Sequence, residues 1–181
     1  TWTPRRFAPC WRRSDERGTQ WAPGGVLSGG RLPTMSEPIL LLLSGPNLNL
    51  LGERQPEVYG TATLDDHVRA STEAAAARGL ALDHVQSNHE GELVDAIHAA
   101  RGRCAAIVVN PGAFTHYAWA IHDALAAFEG PVVELHLSNP AAREPWRHTS
   151  VVAPVADGTI AGFGPMGYRM AVSAAADLLD G

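Results

Sequence analysis

The sequence has 181 residues, 45% hydrophobic and 18% charged, enough for one domain of ordinary size with a real core. This composition excludes a disordered polymer, and no apolar run approaches the ~18 residues needed to cross a bilayer. All 14 basic residues are arginine, so every mechanism that needs a lysine amine, from Schiff-base catalysis to the Walker phosphate loop, is closed within this sequence.

Residues 1–34 stand apart from the rest. They hold six of the arginines and three of the five tryptophans, with no hydrophobic period. We expect them to be a disordered extension outside the folded domain, with Met35 as the native start and residues 35–181 as the domain itself. From Met35 onward, 8 arginines face 17 Asp plus Glu, a formal net charge of −9. Such a body is a poor electrostatic match for nucleic acid, and neither a nucleic-acid nor a membrane partner is expected. The two cysteines, Cys10 and Cys104, make no disulfide framework, which fits a reducing cytoplasm. Cys104 opens an apolar run and reads as a buried small hydrophobe.

Residues 39–44 form a continuous apolar run, the mark of a strand covered on both faces. A long polar loop follows, residues 45–60. Thr63 then reads as the N-cap of a helix with Asp65 and Asp66 in its first turn and Gly79 as its stop. Residues 80–86 read as the second strand. Ser87-Asn-His-Glu90 has capping-box spacing and opens a helix with Leu93, Ile97 and Ala100 on one face. Residues 104–109 are the third strand, 115–128 the third helix and 131–137 the fourth strand. A short fifth strand is expected to begin at 150–152, and a glycine-rich connection leads to a last helix at about 167–179. Strands alternating with helices imply an α/β fold, a flavodoxin-like, doubly wound, five-stranded parallel sheet with helices on both faces. Ligands then sit beyond the carboxyl ends of the strands, where the loops after strands one, three and four converge.

Those loops carry the reactive side chains. The first is about three times the usual two to six residues, which suggests a lid, and Arg54 and Tyr59 lie five apart on it. Glu134 and His136 are two apart on the fourth strand, so they point to one side and can touch. A carboxylate beside an imidazole orients it and favours its protonated form. Arg143 and Arg147 follow on the same edge. His116 and Asp123 are seven apart and are expected to share a face of the third helix; for His116, capping, a core hydrogen bond and ligand contact all stay open. None of the eight histidines has metal-site spacing, so no metal is expected. A non-enzymatic, flavodoxin-like binding module is the rival reading. It would need a first loop rich in glycine and hydroxyls, where this one carries Asn, Leu, Arg and Tyr.

Gly-Pro-Asn-Leu-Asn-Leu-Leu-Gly-Glu-Arg-Gln-Pro-Glu-Val-Tyr-Gly, Gln-Ser-Asn-His-Glu-Gly-Glu-Leu-Val-Asp, Val-Asn-Pro-Gly-Ala-Phe-Thr-His and Glu-Leu-His-Leu-Ser-Asn resemble, in this order, the motifs of type II dehydroquinase, or 3-dehydroquinate dehydratase. The likeness runs over residues 39–179. It implies that Tyr59 is the proton acceptor, with Arg54 stabilising its phenolate. It implies that His136 is the proton donor, supported by Glu134, and that Asn47 positions a water against the developing enolate. Asn110, His116 and Arg147 correspond to substrate-binding positions, Leu137 and Ser138 to the segment that holds the substrate carboxylate, and Arg143 to an arginine near the site. Asp123 corresponds to a residue that reaches a neighbouring subunit's site. The resemblance implies trimers grouped into a homododecamer and no cofactor. The sequence departs from the family pattern after His116, where Tyr-Ala-Trp-Ala is bulkier than usual, and at Leu135 and Leu137, where Val and Ile are common. The type I route to the same dehydration needs a lysine imine and is closed here.

Overall fold

The computed structural model describes residues 37–53 and 61–181, all within one compact unit, Ser36–Gly181. The expected extension at 1–34, and Arg54 and Tyr59 in the first loop, lie outside the described residues.

The sheet is built around β1 (Ile39–Ser44), whose residues Leu40, Leu41, Leu42 and Leu43 are each at most 1% exposed. Successive side chains leave a strand on opposite faces. Leu40 and Leu42 therefore join Ala106, Val108, Val133 and Leu135 in one core, while Leu41 and Leu43 join Ile107, Val109 and Val132 in the other. Burying each leucine contributes ~1.5–3 kcal/mol, so this one strand anchors both layers. The remaining strands are β2 (Ala81–Gln86), β3 (Cys104–Asn110), β4 (Val132–His136) and β5 (Gly158–Ala161). All pairings are parallel, in the order β2-β1-β3-β4-β5, the flavodoxin-like doubly wound arrangement. Helices α1 (Leu64–Ala76) and α4 (Met166–Asp180) cover the first core. Helices α2 (Glu90–Ala100) and α3 (Trp119–Ala126) cover the second, where Cys104 is buried as a free thiol.

Thr63 caps α1 reciprocally with Asp66, its hydroxyl accepting from the Asp66 amide at 3.2 Å and its own amide donating to the carboxylate at 3.0 Å. That amide, the Thr63 hydroxyl and Arg69 hold the Asp66 carboxyl down at about 2. Gly79 takes a φ of +70° just beyond the helix end, which a side chain would resist.

Three expectations needed correction. The N-cap of α2 is His89, and the Ser87 hydroxyl bonds Glu92 at 2.5 Å instead of making a box with Glu90. The third helix does not start at 115: Gly112–His116 is a 3-10 turn, Tyr117 breaks it at φ −155° and α3 begins at Trp119. Residues 150–152 are not a strand. Val151 and Val152 are apolar because they plug the second core, and the edge strand follows at Gly158–Ala161.

The loops after β1 and β3 touch through backbone. Gly45 donates to the Asn110 carbonyl at 2.8 Å, and a Cβ added at Gly45 would stand 2.3 Å from the Pro111 carbonyl oxygen. Backbone cannot yield as a side-chain tip can. Gly45→Ala is therefore expected to lower stability by about 1–3 kcal/mol and to raise KM, because it separates loops that both line the cleft described below. Thermal denaturation and steady-state kinetics read the two effects; an unchanged melting temperature would show that the loops part freely.

Candidate active site

The strand order turns back on itself around β1, and a cleft opens beyond the carboxyl ends of β1, β3 and β4. Asn47, Leu48 and Leu51 line it from the loop after β1. Asn110, Gly112 and His116 line it from the end of β3 and the turn that follows, and His136, Leu137, Ser138, Arg143 and Arg147 from the end of β4 and beyond. Eight of the candidate residues thus meet in one place although they span a hundred positions of sequence.

Each is held for a local reason. Asn47 sits in the left-handed region at φ 64°, which asparagine tolerates better than most residues, and its amide donates to the Asn88 side chain at 2.8 Å. The Asn110 side chain is buried between the Gly112 amide and the Tyr168 phenol, each 3.3 Å away. His116 Nδ1 lies 2.7 Å from the Thr149 carbonyl, which can only accept, so Nδ1 carries the hydrogen and Nε2 is the ring's other bonding atom. The carbonyls of His136 and Leu137 accept from Gly162 and Gly164 at 3.2 and 2.9 Å, fixing the chain at Leu137 and Ser138. Arg143 and Arg147 are about four-fifths buried and share Glu144 at 3.5 and 2.7 Å, and Arg147 also stacks on Trp146 at 3.9 Å.

Glu134 is the chemically telling residue. It is fully buried, and its Oε1 lies 2.8 Å from His136 Nε2. The carboxylate also accepts from the hydroxyls of Thr115, Ser150 (2.9 and 3.1 Å) and Thr159 (3.4 Å). Burial pushes its carboxyl upward. The His136 ring beside it and the Thr115 and Ser150 hydroxyls outweigh that push and hold it below the usual carboxylate value. A carboxylate kept ionised against an imidazole holds that ring in one orientation and one tautomer. With Nε2–H given to Glu134, Nδ1 is the nitrogen left to serve a ligand.

A family model described as dehydroquinase class II matches residues 38–176. The chain belongs to the class II dehydroquinases. It is 57% identical over 143 residues to 3-dehydroquinate dehydratase 2 of Pseudomonas putida, covering 79% of this chain and 96% of that one. It is 54% identical over 133 residues to the catabolic 3-dehydroquinase of Penicillium rubens, covering 74% and 86%. The crystal structure of type II dehydroquinase from Propionibacterium acnes superposes with a TM-score of 0.75 at 43% identity, covering 79% of this chain and 98% of that one.

In this dehydroquinase the structure corrects the expectation that Asp123 and His116 share a helix face. Asp123 is exposed on α3, does not line the cleft, and lies on a different element from His116, so the shared helix face does not exist. The sequence reading also passed over the hydroxyls that hold Glu134. Thr115 stood inside a quoted motif, yet only the fold brings Ser150 and Thr159, 16 and 25 residues away from Glu134, onto the same carboxylate.

Proposed function

We propose that this chain eliminates water from 3-dehydroquinate to give 3-dehydroshikimate through an enolate, as a hydro-lyase of aromatic biosynthesis. The observation that carries the reading is the buried Glu134–His136 pair facing a cleft lined by Asn47, Asn110 and two arginines, in a chain of this family. Tyr59, as phenolate, removes the proton beside the ketone. The electron pair moves onto the carbonyl oxygen, where a water held by Asn47 stabilises the charge by hydrogen bonding. As the carbonyl re-forms, the β-hydroxyl leaves and takes its proton from His136, which Glu134 keeps oriented. Arg143, Arg147, His116 and Asn110 are suited to a carboxylate and hydroxyls, with Leu137 and Ser138 at the carboxylate end. No cofactor enters these steps.

Leu48 and Leu51 line the cleft, and Arg54 follows three residues later in sequence. The ends of the first loop are close: a Cβ on Gly52 would meet Thr61 and Thr63 at 3.2 and 3.1 Å. This supports a loop able to close over the site and exclude bulk water. Arg54→Ala is expected to move the pH at which the rate reaches half its maximum upward, toward an unassisted phenol; an unchanged profile would remove Arg54 as activator.

Conversion followed by proton resonance tests the reaction itself. A single vinylic proton should appear as a methylene signal is lost; products without that signal would reject the dehydration. Assembly into a dodecamer is part of the proposal, with Asp123 serving a neighbouring subunit's site, which its exposed position supports. Light scattering of purified protein should give twelve chains, and a monomer would contradict it. Among the described residues no helix is long and apolar enough to cross a membrane, in keeping with the cytoplasmic location proposed. Growth of a deletion strain only when aromatic amino acids are supplied would support the biosynthetic role. Unaffected growth with loss of quinate utilisation would favour the catabolic one.

A further inference from the structure

Below the cleft, on the side of the sheet covered by α1 and α4, a polar chain runs away from Asn110 through residues that the dehydration steps do not use. Asn110 is 3% exposed, and both ends of its amide are engaged by the protein itself. The Gly112 amide can only donate, so the Asn110 atom facing it is the oxygen, and the nitrogen is the end that meets Tyr168. The phenol oxygen therefore accepts from Asn110. Ser44 is a second polar neighbour of the phenol, and its hydroxyl lies 3.1 Å from His84 Nε2. Burial holds His84 below its ordinary pKa, against the pull of Asp65. Asn110, Tyr168, Ser44 and His84 thus form one connected polar chain. Burial pushes the Tyr168 phenol up to about 12, so it remains a hydroxyl at any working pH. Its ring is stacked on His67 at 4.6 Å with planes 4° apart, which prevents it from swinging out of place.

We propose that Tyr168 is a positioning residue for the dehydration: its hydroxyl tethers the nitrogen end of the Asn110 amide whose oxygen end the Gly112 amide holds, so that the side chain meets the bound hydroxy-keto acid in one place. The inference rests on the dehydratase reading. Tyr168 lies 58 residues from Asn110, so no local spacing couples the two.

Tyr168→Phe removes one oxygen and keeps the ring that stacks on His67. The expected result is a rise in KM of about tenfold with kcat within about twofold, because the amide is then held at its oxygen end alone and its nitrogen end is loose. In an Asn110→Ala background the same substitution should change KM by less than about twofold, since nothing remains to orient. An unchanged KM in the single variant, or the same rise in both backgrounds, would overturn the proposal. The cycle can also be read by melting temperature, which needs no turnover. Shifts that fail to add support the Tyr168–Asn110 coupling, and shifts that simply add overturn it. If the wild-type protein turned nothing over, the dehydratase reading would fail while the melting cycle still decided the coupling.

Discussion

Tyr59→Phe is expected to lower kcat by about a thousandfold while changing KM by less than about threefold, because it removes a group used only in the transition state. The sequence has three tyrosines. Tyr168 is fully buried, held near 12 and occupied by Asn110, and Tyr117 is 57% exposed away from the cleft lining. Tyr59 is the third, on the loop that follows the cleft-lining Leu51 in sequence. A free phenol of pKa about 10 is ionised in roughly one molecule in a thousand at pH 7, a deficit of about 4 kcal/mol. A guanidinium ~4 Å away supplies attraction of the same order at an effective dielectric near 20. In the proposed mechanism Arg54 has that task, with base and activator on one loop. Near-normal turnover by the Phe variant in a steady-state assay would remove Tyr59 as the base.

Glu134→Gln is expected to lower kcat about a hundredfold and stability by about 2 kcal/mol. The amide keeps the shape but loses the charge that orients the His136 ring, and its nitrogen must face hydroxyls that now donate to a carboxylate. The pH dependence has a definite sign. The folded carboxyl lies below its ordinary value of 4.5, so the unfolded chain binds more protons in this range. Its contribution to stability is therefore fully present above pH 4.5 and is lost as pH falls from there through the folded value. Acid unfolding of the wild type should be steeper than that of the variant in that window. Parallel acid curves would mean that Glu134 is not held ionised by the fold.

Much of this was legible because the signals are local. Four leucines in a row predicted the central strand, and Thr63 with Asp66 predicted a helix start that the structure bears out. The adjacency of Glu134 and His136 followed from strand geometry alone. What failed was decided by tertiary packing. Val151 and Val152 look like a strand but fill the space above α3, while the true edge strand, Gly158–Ala161, is short, opens on glycine and is only half-buried. The break at Tyr117 separated His116 from Asp123 because the chain must let the Thr115 hydroxyl reach Glu134 and the Thr115 carbonyl receive Val151 at 2.7 Å. The cage around Glu134 and the chain behind Asn110 join residues too distant in sequence for any period to reveal.

Ultraviolet absorbance as purified protein meets 3-dehydroquinate tests the central claim most directly, since the conjugated enone of the product absorbs and the substrate does not. A rising signal that persists with chelator and with borohydride is expected. A flat trace from correctly folded protein, its cleft intact, would contradict the claim.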